Sequence, residues 1–184
     1  CCQIDLVKLL KGGFSTGHGH LREPNDIESY AALACIAIQS NQNDQHGGQS
    51  VPNFDYGMAP GVKKTYKKLY ISNLGKMLDF LEDVEDGEDR MKAIEKQIED
   101  EHGVYPCMAW DNNYKELELA ELKKIVSEDE AKKMQDRATR FADKEIRRKT
   151  YQAMEAFIHN LNTMHSRAGA QVPFSSINYG TDTS

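Results

Sequence analysis

Residues 24–54 read PNDIESYAALACIAIQSNQNDQHGGQSVPNF. Pro24 precedes a helix start. Asn25 can cap it, and Glu28 three positions on completes a capping-box arrangement. Ile27, Tyr30, Ala31, Ala34, Cys35 and Ile38 recur at spacings of three and four, which predicts a helix to about Gln42. Ala31, Ala32, Ala34 and Ala37 leave a low surface that another helix can approach closely. Gly47-Gly48 punctuates the loop that follows. Gln49–Phe54 is then a short strand, interrupted by Pro52. Helix, glycine loop and strand in that order suit an α/β unit.

The flanks extend this pattern. Cys1 to Leu6 suits a buried strand, and Val7–Leu10 begins a short helix or turn. Lys11–Glu23 reads as a loop built on Gly12, Gly13, Gly17 and Gly19. Downstream, a turn region through Gly57 and Pro60 leads into a helical pattern from Val62 to about Lys149. Its first stripe is Tyr66, Leu69, Tyr70, Leu74, Met77, Leu78 and Leu81. After an acidic turn at Asp83–Asp89, Met91, Ile94 and Ile98 mark a second helix stopped by Gly103. Val104–Asp111 is a loop carrying Trp110, and a third helix runs from about Lys115 to Val126. Ser127 with Glu130 forms a second capping box, opening a long helix to about Thr163. The later half of that helix is apolar at Tyr151, Met154, Phe157, Ile158 and Leu161. Gly169 ends the turn after it, and Gln171–Asn178 alternates as a strand through Val172, Phe174 and Ile177. The expected fold class is α/β, with elements that wrap a larger barrel or sheet, because three strands alone do not close one.

The chain has 184 residues, 39% of them hydrophobic, with 23 Lys+Arg against 29 Asp+Glu. A net charge of −6 excludes a generic polycationic nucleic-acid binder. No apolar run reaches about 18 residues, so no membrane span is expected. Charge is segregated: residues 1–60 hold 9 charged residues, 61–150 hold 40 and 151–184 hold 3. The middle zone is most simply a solvated set of helices with mixed-sign pairs. Of the four cysteines, Cys1, Cys2, Cys35 and Cys107, none forms a CxxC pair, which disfavours a zinc ribbon or thioredoxin-type site. They are too sparse for a disulfide scaffold, so a reduced, intracellular protein is expected. No signal peptide is recognisable. The start at Cys1 and the stop at Ser184 within a polar stretch suggest a segment of something longer.

Four stretches are candidates for chemistry. Cys1-Cys2 heads a strand, and a strand points adjacent side chains to opposite faces. Either one thiol faces a pocket and does redox or hydrogen-atom chemistry, or both are small buried hydrophobes. Gly17-His18-Gly19-His20 offers a metal pair if extended, or structural histidines in a polar loop, and no HExxH is present. A metal-hydrolase reading would use His18, His20 and His46, but no metal centre is expected. Asn43–Ser50 surrounds Gly47-Gly48 with polar side chains. It can bring backbone N–H groups against a phosphate or base, or be an exposed turn, and it lacks Gly-Lys-Ser/Thr. Arg167, the only Lys or Arg after Lys149, either contacts an anion or complements a helix C-terminus. Lys63, Lys64, Lys67 and Lys68 form a cluster that is a phosphate contact or a surface face.

Taken in order, CCQIDL (1–6), GFSTGHGHLREPNDI (13–27), IQSNQNDQHGGQSVPNFDYGMAPGV (38–62) and YQAMEAFIHNLNTMHSRAGAQVPFSSINYGTDTS (151–184) resemble the anaerobic (class III) ribonucleoside-triphosphate reductase large subunit. The likeness is specific in the two low-charge zones and one of character in the middle. It implies an internal, incomplete part of one catalytic domain, a ten-stranded α/β barrel of two parallel five-stranded halves. Residues 1–60 would supply the first strands, a loop and an interface helix. Residues 61–150 would be a charged helical outer region, and 151–184 a helix, a second specificity-type loop and a strand.

By the same resemblance, Cys1, with Cys2 as runner-up, would exchange a hydrogen atom at the substrate's 2′ carbon. Gln45, His46, Gly47, Gly48, Gln49 and Ser50 would form a first specificity loop. Ser166, Arg167, Ala168, Gly169 and Gln171 would form a second, with Arg167 a polar contact. Helix 26–42 would make a homodimer near the ATP or dNTP effector. The thiyl-radical cysteine, the glycyl-radical glycine, the four-cysteine zinc site and the ATP-binding regulatory domain would lie outside this segment, which would be inactive alone. Ribonucleoside triphosphates as substrates, a radical S-adenosylmethionine activating enzyme and formate as reductant are implied as well, in a cytoplasmic enzyme without membrane or direct nucleic-acid contact. The alternative is a nucleotide-sensing dimerisation module without chemistry of its own.

Overall fold

A computed structural model describes residues 2–15, 19–45, 47–81, 85–107, 112–163 and 172–180. In chain order the elements are β1 (Cys2–Gln3), α1 (Leu6–Leu10), β2 (Phe14–Ser15), β3 (His20–Leu21), α2 (Ile27–Asp44), β4 (Gln49–Val51), α3 (Phe54–Leu81), α4 (Gly87–His102), α5 (Asn112–Leu122), α6 (Glu128–Thr163) and β5 (Ser175–Ile177). The chain is helix-rich α/β. It divides into two compact units, 1–64 with 149–184, and 65–148, and the boundaries fall inside α3 and α6. Among the described residues no helix is long and apolar enough to cross a membrane.

In the first unit β1, β4 and β5 form a three-stranded parallel sheet in the order β1-β4-β5. Parallel neighbours need a long crossover, and α2 lies on the path from β1 to β4. The cap of α2 is Asp26, not Asn25: its Oδ1 accepts the Ser29 N–H at 2.8 Å. Glu28 instead pairs with Lys149 of α6 at 2.8 Å. The expected close approach along the alanines is made within the chain. Ala31, Ala34 and Ala37 are buried, Ala32 is exposed, and the Cys35 thiol donates to the Phe157 carbonyl of α6 at 3.4 Å. Ile4, Leu6, Leu10, Ile38, Val51 and Phe54 complete this core.

The strand expected through Leu6 is shorter, because β1 covers only Cys2–Gln3 and Leu6 opens α1, and three further expectations need correction. Lys11–Glu23 is not all loop, since β2 and β3 pair as a short antiparallel ribbon, Phe14 opposite Leu21 and Ser15 opposite His20. Two-residue strands are too short to display an alternation. Second, the region of Gly57 and Pro60 is helix, because α3 starts at Phe54. Pro52 ends β4, Asn53 turns the chain at φ 54°, and the first helical N–H, of Phe54, is taken by the Asn178 carbonyl at 3.0 Å. The Phe54 ring is buried 5.0 Å from that of Phe157. Third, Tyr151 and Ile158 do not join the core face of α6: they are 67% and 51% exposed, while Ala153 and Phe157 are buried.

Gly61 serves packing, not a turn. A Cβ there would stand 2.8 Å from the Tyr30 ring. Gly61→Ala should therefore cost about 1–3 kcal/mol through overpacking. Urea titration measures it, and a loss below about 0.5 kcal/mol would mean that the ring yields freely.

The second unit is helical. Tyr66, Tyr70, Leu74 and Leu78 of the expected stripe are buried, together with Met91, Ile98 and Tyr114. Gly103 closes α4 in the left-handed conformation at φ 68°, donating to the Glu99 carbonyl. The second capping box is formed: the Ser127 N–H donates to Glu130 at 3.3 Å and the Glu130 N–H to Ser127 Oγ at 3.4 Å. Mixed-sign pairs at helical spacing, such as Lys92–Glu88 at 3.0 Å and Lys132–Glu128 at 2.6 Å, lie on its surface.

Candidate functional site

Three segments of the first unit meet at the N-terminal end of the parallel sheet. Cys2 stands opposite Gln49, and Gln49 opposite Ser175. The Cys2 N–H donates to the Gly48 carbonyl at 3.3 Å, and the Gln49 N–H to the Phe174 carbonyl at 3.0 Å. Further along, the Ile4 N–H donates to the Ser50 carbonyl at 2.8 Å. The residue after Cys1, the end of the 45–50 loop and the segment after Gln171 are thus hydrogen-bonded neighbours. Cys1, His46, Ser166, Arg167, Ala168, Gly169 and Gln171 themselves lie outside the described residues, as do His18 and Trp110.

The side chains of the first loop have different surroundings. Gly47 has φ 105° and is exposed, and Gln45 and Ser50 are half-buried. Gln49 is 3% exposed and turns away from solvent into the end of α2. Its Nε2 donates to the Ile38 carbonyl at 2.9 Å, and its Oε1 accepts from Asn41 Nδ2 at 2.6 Å. Beside it, the Phe174 ring is 82% exposed and lies against Gly48.

A cleft of roughly 540 Å³ opens along the free edge of β1, lined by Cys2, Asp5, Lys8, Ser15, Ser40 and Asn41 among others. Ile4, Leu9, Phe14 and Ala37 supply apolar walls, and the volume lies in the range of small-molecule sites. Its two charged groups are partly spent on each other. Asp5 caps α1 by accepting the Lys8 N–H at 3.2 Å, and the Lys8 ammonium lies 3.5 Å from the same carboxylate. No spacing in the sequence groups these residues, because they come from β1, α1, β2 and α2.

The remaining candidates are placed as follows. Among the described residues no group of three or more His, Cys, Asp or Glu could hold a metal, and His20 is exposed on β3. Cys35 is a core thiol, pushed up to about 11 by burial. Of the lysine cluster, Lys64 is committed to Glu23 at 2.6 Å and the Pro24 carbonyl at 3.0 Å. Its hydrogen bond and charge hold the Glu23 carboxyl below the usual range. Lys67 is shared between Glu95 and Glu99, at 2.5 and 2.7 Å, while Lys63 and Lys68 are exposed.

The second unit also holds a buried carboxylate that no motif announces. Glu118 is fully buried and accepts from Tyr70 at 2.7 Å, Gln135 at 2.7 Å and Tyr114 at 3.0 Å. Burial pushes this carboxyl up, and the three donors oppose that shift.

Comparison with known proteins agrees with the resemblance. The anaerobic ribonucleoside-triphosphate reductase of Enterobacteria phage T4 is 24% identical over 183 residues, a match that covers 100% of this chain and 21% of that protein. The chain therefore spans about a fifth of the length of the curated relative it matches. The family model described as anaerobic ribonucleoside-triphosphate reductase matches residues 1–184. With every residue inside that match, the chain belongs to the anaerobic ribonucleoside-triphosphate reductase family.

Proposed function

We propose that this chain forms part of the catalytic domain of an oxygen-sensitive enzyme that reduces ribonucleoside triphosphates to deoxyribonucleoside triphosphates. The observation that supports this most is the register of β1 on β4, which sets the cysteine-bearing strand beside the Gly47-Gly48 loop in a chain that matches the family throughout. The three parallel strands are then the first of a ten-stranded α/β barrel. Cys1 is the residue assigned to hydrogen-atom exchange at the 2′ carbon, since a thiol S–H bond is weak enough to be broken and re-formed. Gln45 to Ser50 form the first specificity loop. Ser166, Arg167, Ala168, Gly169 and Gln171 form the second, under control of ATP or dNTP effectors.

Zinc and the radical-storing glycine are assigned to parts of the enzyme outside this chain. A glycyl radical made by a radical S-adenosylmethionine activating enzyme would supply the unpaired electron that starts turnover and is regained at its end, and formate would supply the two reducing equivalents. The homodimer assigned to helix 26–42 would use the side of α2 left over after internal packing. Ala32 is exposed there, and Ser29, Leu33 and Ile36 are half-buried. A cytoplasmic setting goes with this oxygen-sensitive chemistry.

The test is anaerobic activation of the full-length enzyme, followed by assay of deoxyribonucleotide formation from each ribonucleoside triphosphate. Product that depends on the activating enzyme is expected. A fully formed glycyl radical with no deoxyribonucleotide would sink the proposal. A module that only senses nucleotides would instead show dNTP-dependent association that is indifferent to Cys1.

A further inference from the structure

Within the second unit, the exposed face of α6 carries a row of cations. Lys133, Arg137, Arg140, Lys144 and Arg147 recur at alternating spacings of four and three. On an α-helix that spacing keeps the five within an arc of about 80°, in a row about 21 Å long. All five are exposed, while Ala131, Met134, Ala138, Ala142 and Ile146 turn the opposite face into the core.

Around the row, charge is matched. Lys132 pairs with Glu128 at 2.6 Å and Arg148 with Glu145 at 2.6 Å. Inside it only Arg140 is engaged, by Asp136 at 2.5 Å. Lys133, Arg137, Lys144 and Arg147 have no ion-pair partner among the described residues. Like charges three and four residues apart destabilise a helix, and each member of the row has such a neighbour. An anionic partner would relieve that repulsion.

The shape of the row selects the partner. A helix with carboxylates at the same spacing meets it cation by cation, as charged positions do along paired helices. Phe141, 44% exposed, stands one turn from both Arg137 and Lys144 and adds an aromatic contact beside them. Arg and aromatic side chains together are enriched where proteins dock. Other occupants fit less well. A nucleic-acid groove or a membrane surface reaches past a single row. It would meet Asp136 beside the row and Glu128, Asp129 and Glu130 in the first turn of α6. The net charge of −6 opposes such an extended polyanion as well. Two copies of this face laid together would set cations against cations.

We propose that this face of α6 is a docking surface for an acidic helix of a partner protein.

The test titrates the full-length enzyme with a fluorescent, side-chain-stapled helical peptide that bears glutamates at alternating spacings of four and three. A stapled peptide of the same composition in scrambled order is the control. The spaced peptide should bind at least about 10-fold more tightly than the control, and more weakly as salt is raised. Reversing the row with Lys133→Glu, Arg137→Glu, Lys144→Glu and Arg147→Glu in one variant should cost at least about 10-fold in affinity. Should that variant not fold, Gln at the same four positions removes the charges without reversing them, and affinity should still fall. Unchanged affinity in a folded variant would overturn the proposal. Equal binding of the two peptides would mean unspecific attraction and overturn it too. Tighter binding of a DNA duplex or of phosphatidylserine vesicles would overturn it in favour of that occupant. If the spaced peptide does not bind at all, the row is not a docking surface in the whole enzyme.

Discussion

Cys1→Ala should abolish ribonucleotide reduction in the full-length enzyme, by about three orders of magnitude or more, while the glycyl radical forms as in the wild type. The physical reason is bond strength. A thiol can give up and recover a hydrogen atom, and a methyl group in the same place cannot. By resemblance the exchange is assigned to Cys1, and Cys2 serves as the control. Cys2 is half-buried and lines the cleft beside β1. Its backbone N–H is held by the Gly48 carbonyl at 3.3 Å. Cys2→Ala should accordingly retain most of the turnover. Electron paramagnetic resonance of the radical, measured beside product formation, separates loss of chemistry from loss of activation. A dead Cys2→Ala with an active Cys1→Ala would move the assignment by one residue.

Glu118→Ala should destabilise the helical unit by about 3–5 kcal/mol, read from urea unfolding, because it strands buried donors and leaves a cavity. Tyr70 and Tyr114 would lose their partner, and Gln135 would keep only the Lys115 carbonyl. Glu118→Gln fills the space and should cost less. The pH dependence discriminates further. Burial raises the folded carboxyl above its ordinary 4.5, so the folded state holds the proton more tightly than the unfolded one. The contribution is full below 4.5 and is lost as pH rises through the folded value. Lys115, Tyr66, Tyr70 and Tyr114 are the other titratable groups coupled to this site. The advantage of wild type over Glu118→Gln should therefore shrink as pH rises from 4.5 to 8. A difference that grows with pH would contradict this.

Both predictions draw on features of different legibility. The cysteine pair, the glycine loop and the positions of β1, β4 and β5 along the chain stand out in the sequence, because strand alternation, helical spacing and glycine punctuation are local signals. The long helices α2 and α6, the Gly103 stop and the Ser127–Glu130 box were readable for the same reason. Glu118 was not, because its partners come from α3, α5 and α6, at sequence separations that no periodicity records. Gln49 looked like one more polar member of a candidate loop. Its burial shows only once α2 folds back over β4.

The early start of α3 follows the same division. Gly57, Pro60 and Gly61 carry the local signs of a turn, yet they lie within a helix. That helix is anchored by the Asn178 carbonyl, the buried Phe54 ring and the Tyr30 ring against Gly61. By itself the sequence determined the α/β class, the main helices and the family, since those depend on spacing and on motifs contiguous along the chain. Only the tertiary structure decided which polar groups are buried, which alanines are used up inside the chain, and that Cys2, Gly48 and Phe174 meet at one end of a sheet. Those are contacts between distant segments, and their free energies exist only after the chain has closed on itself.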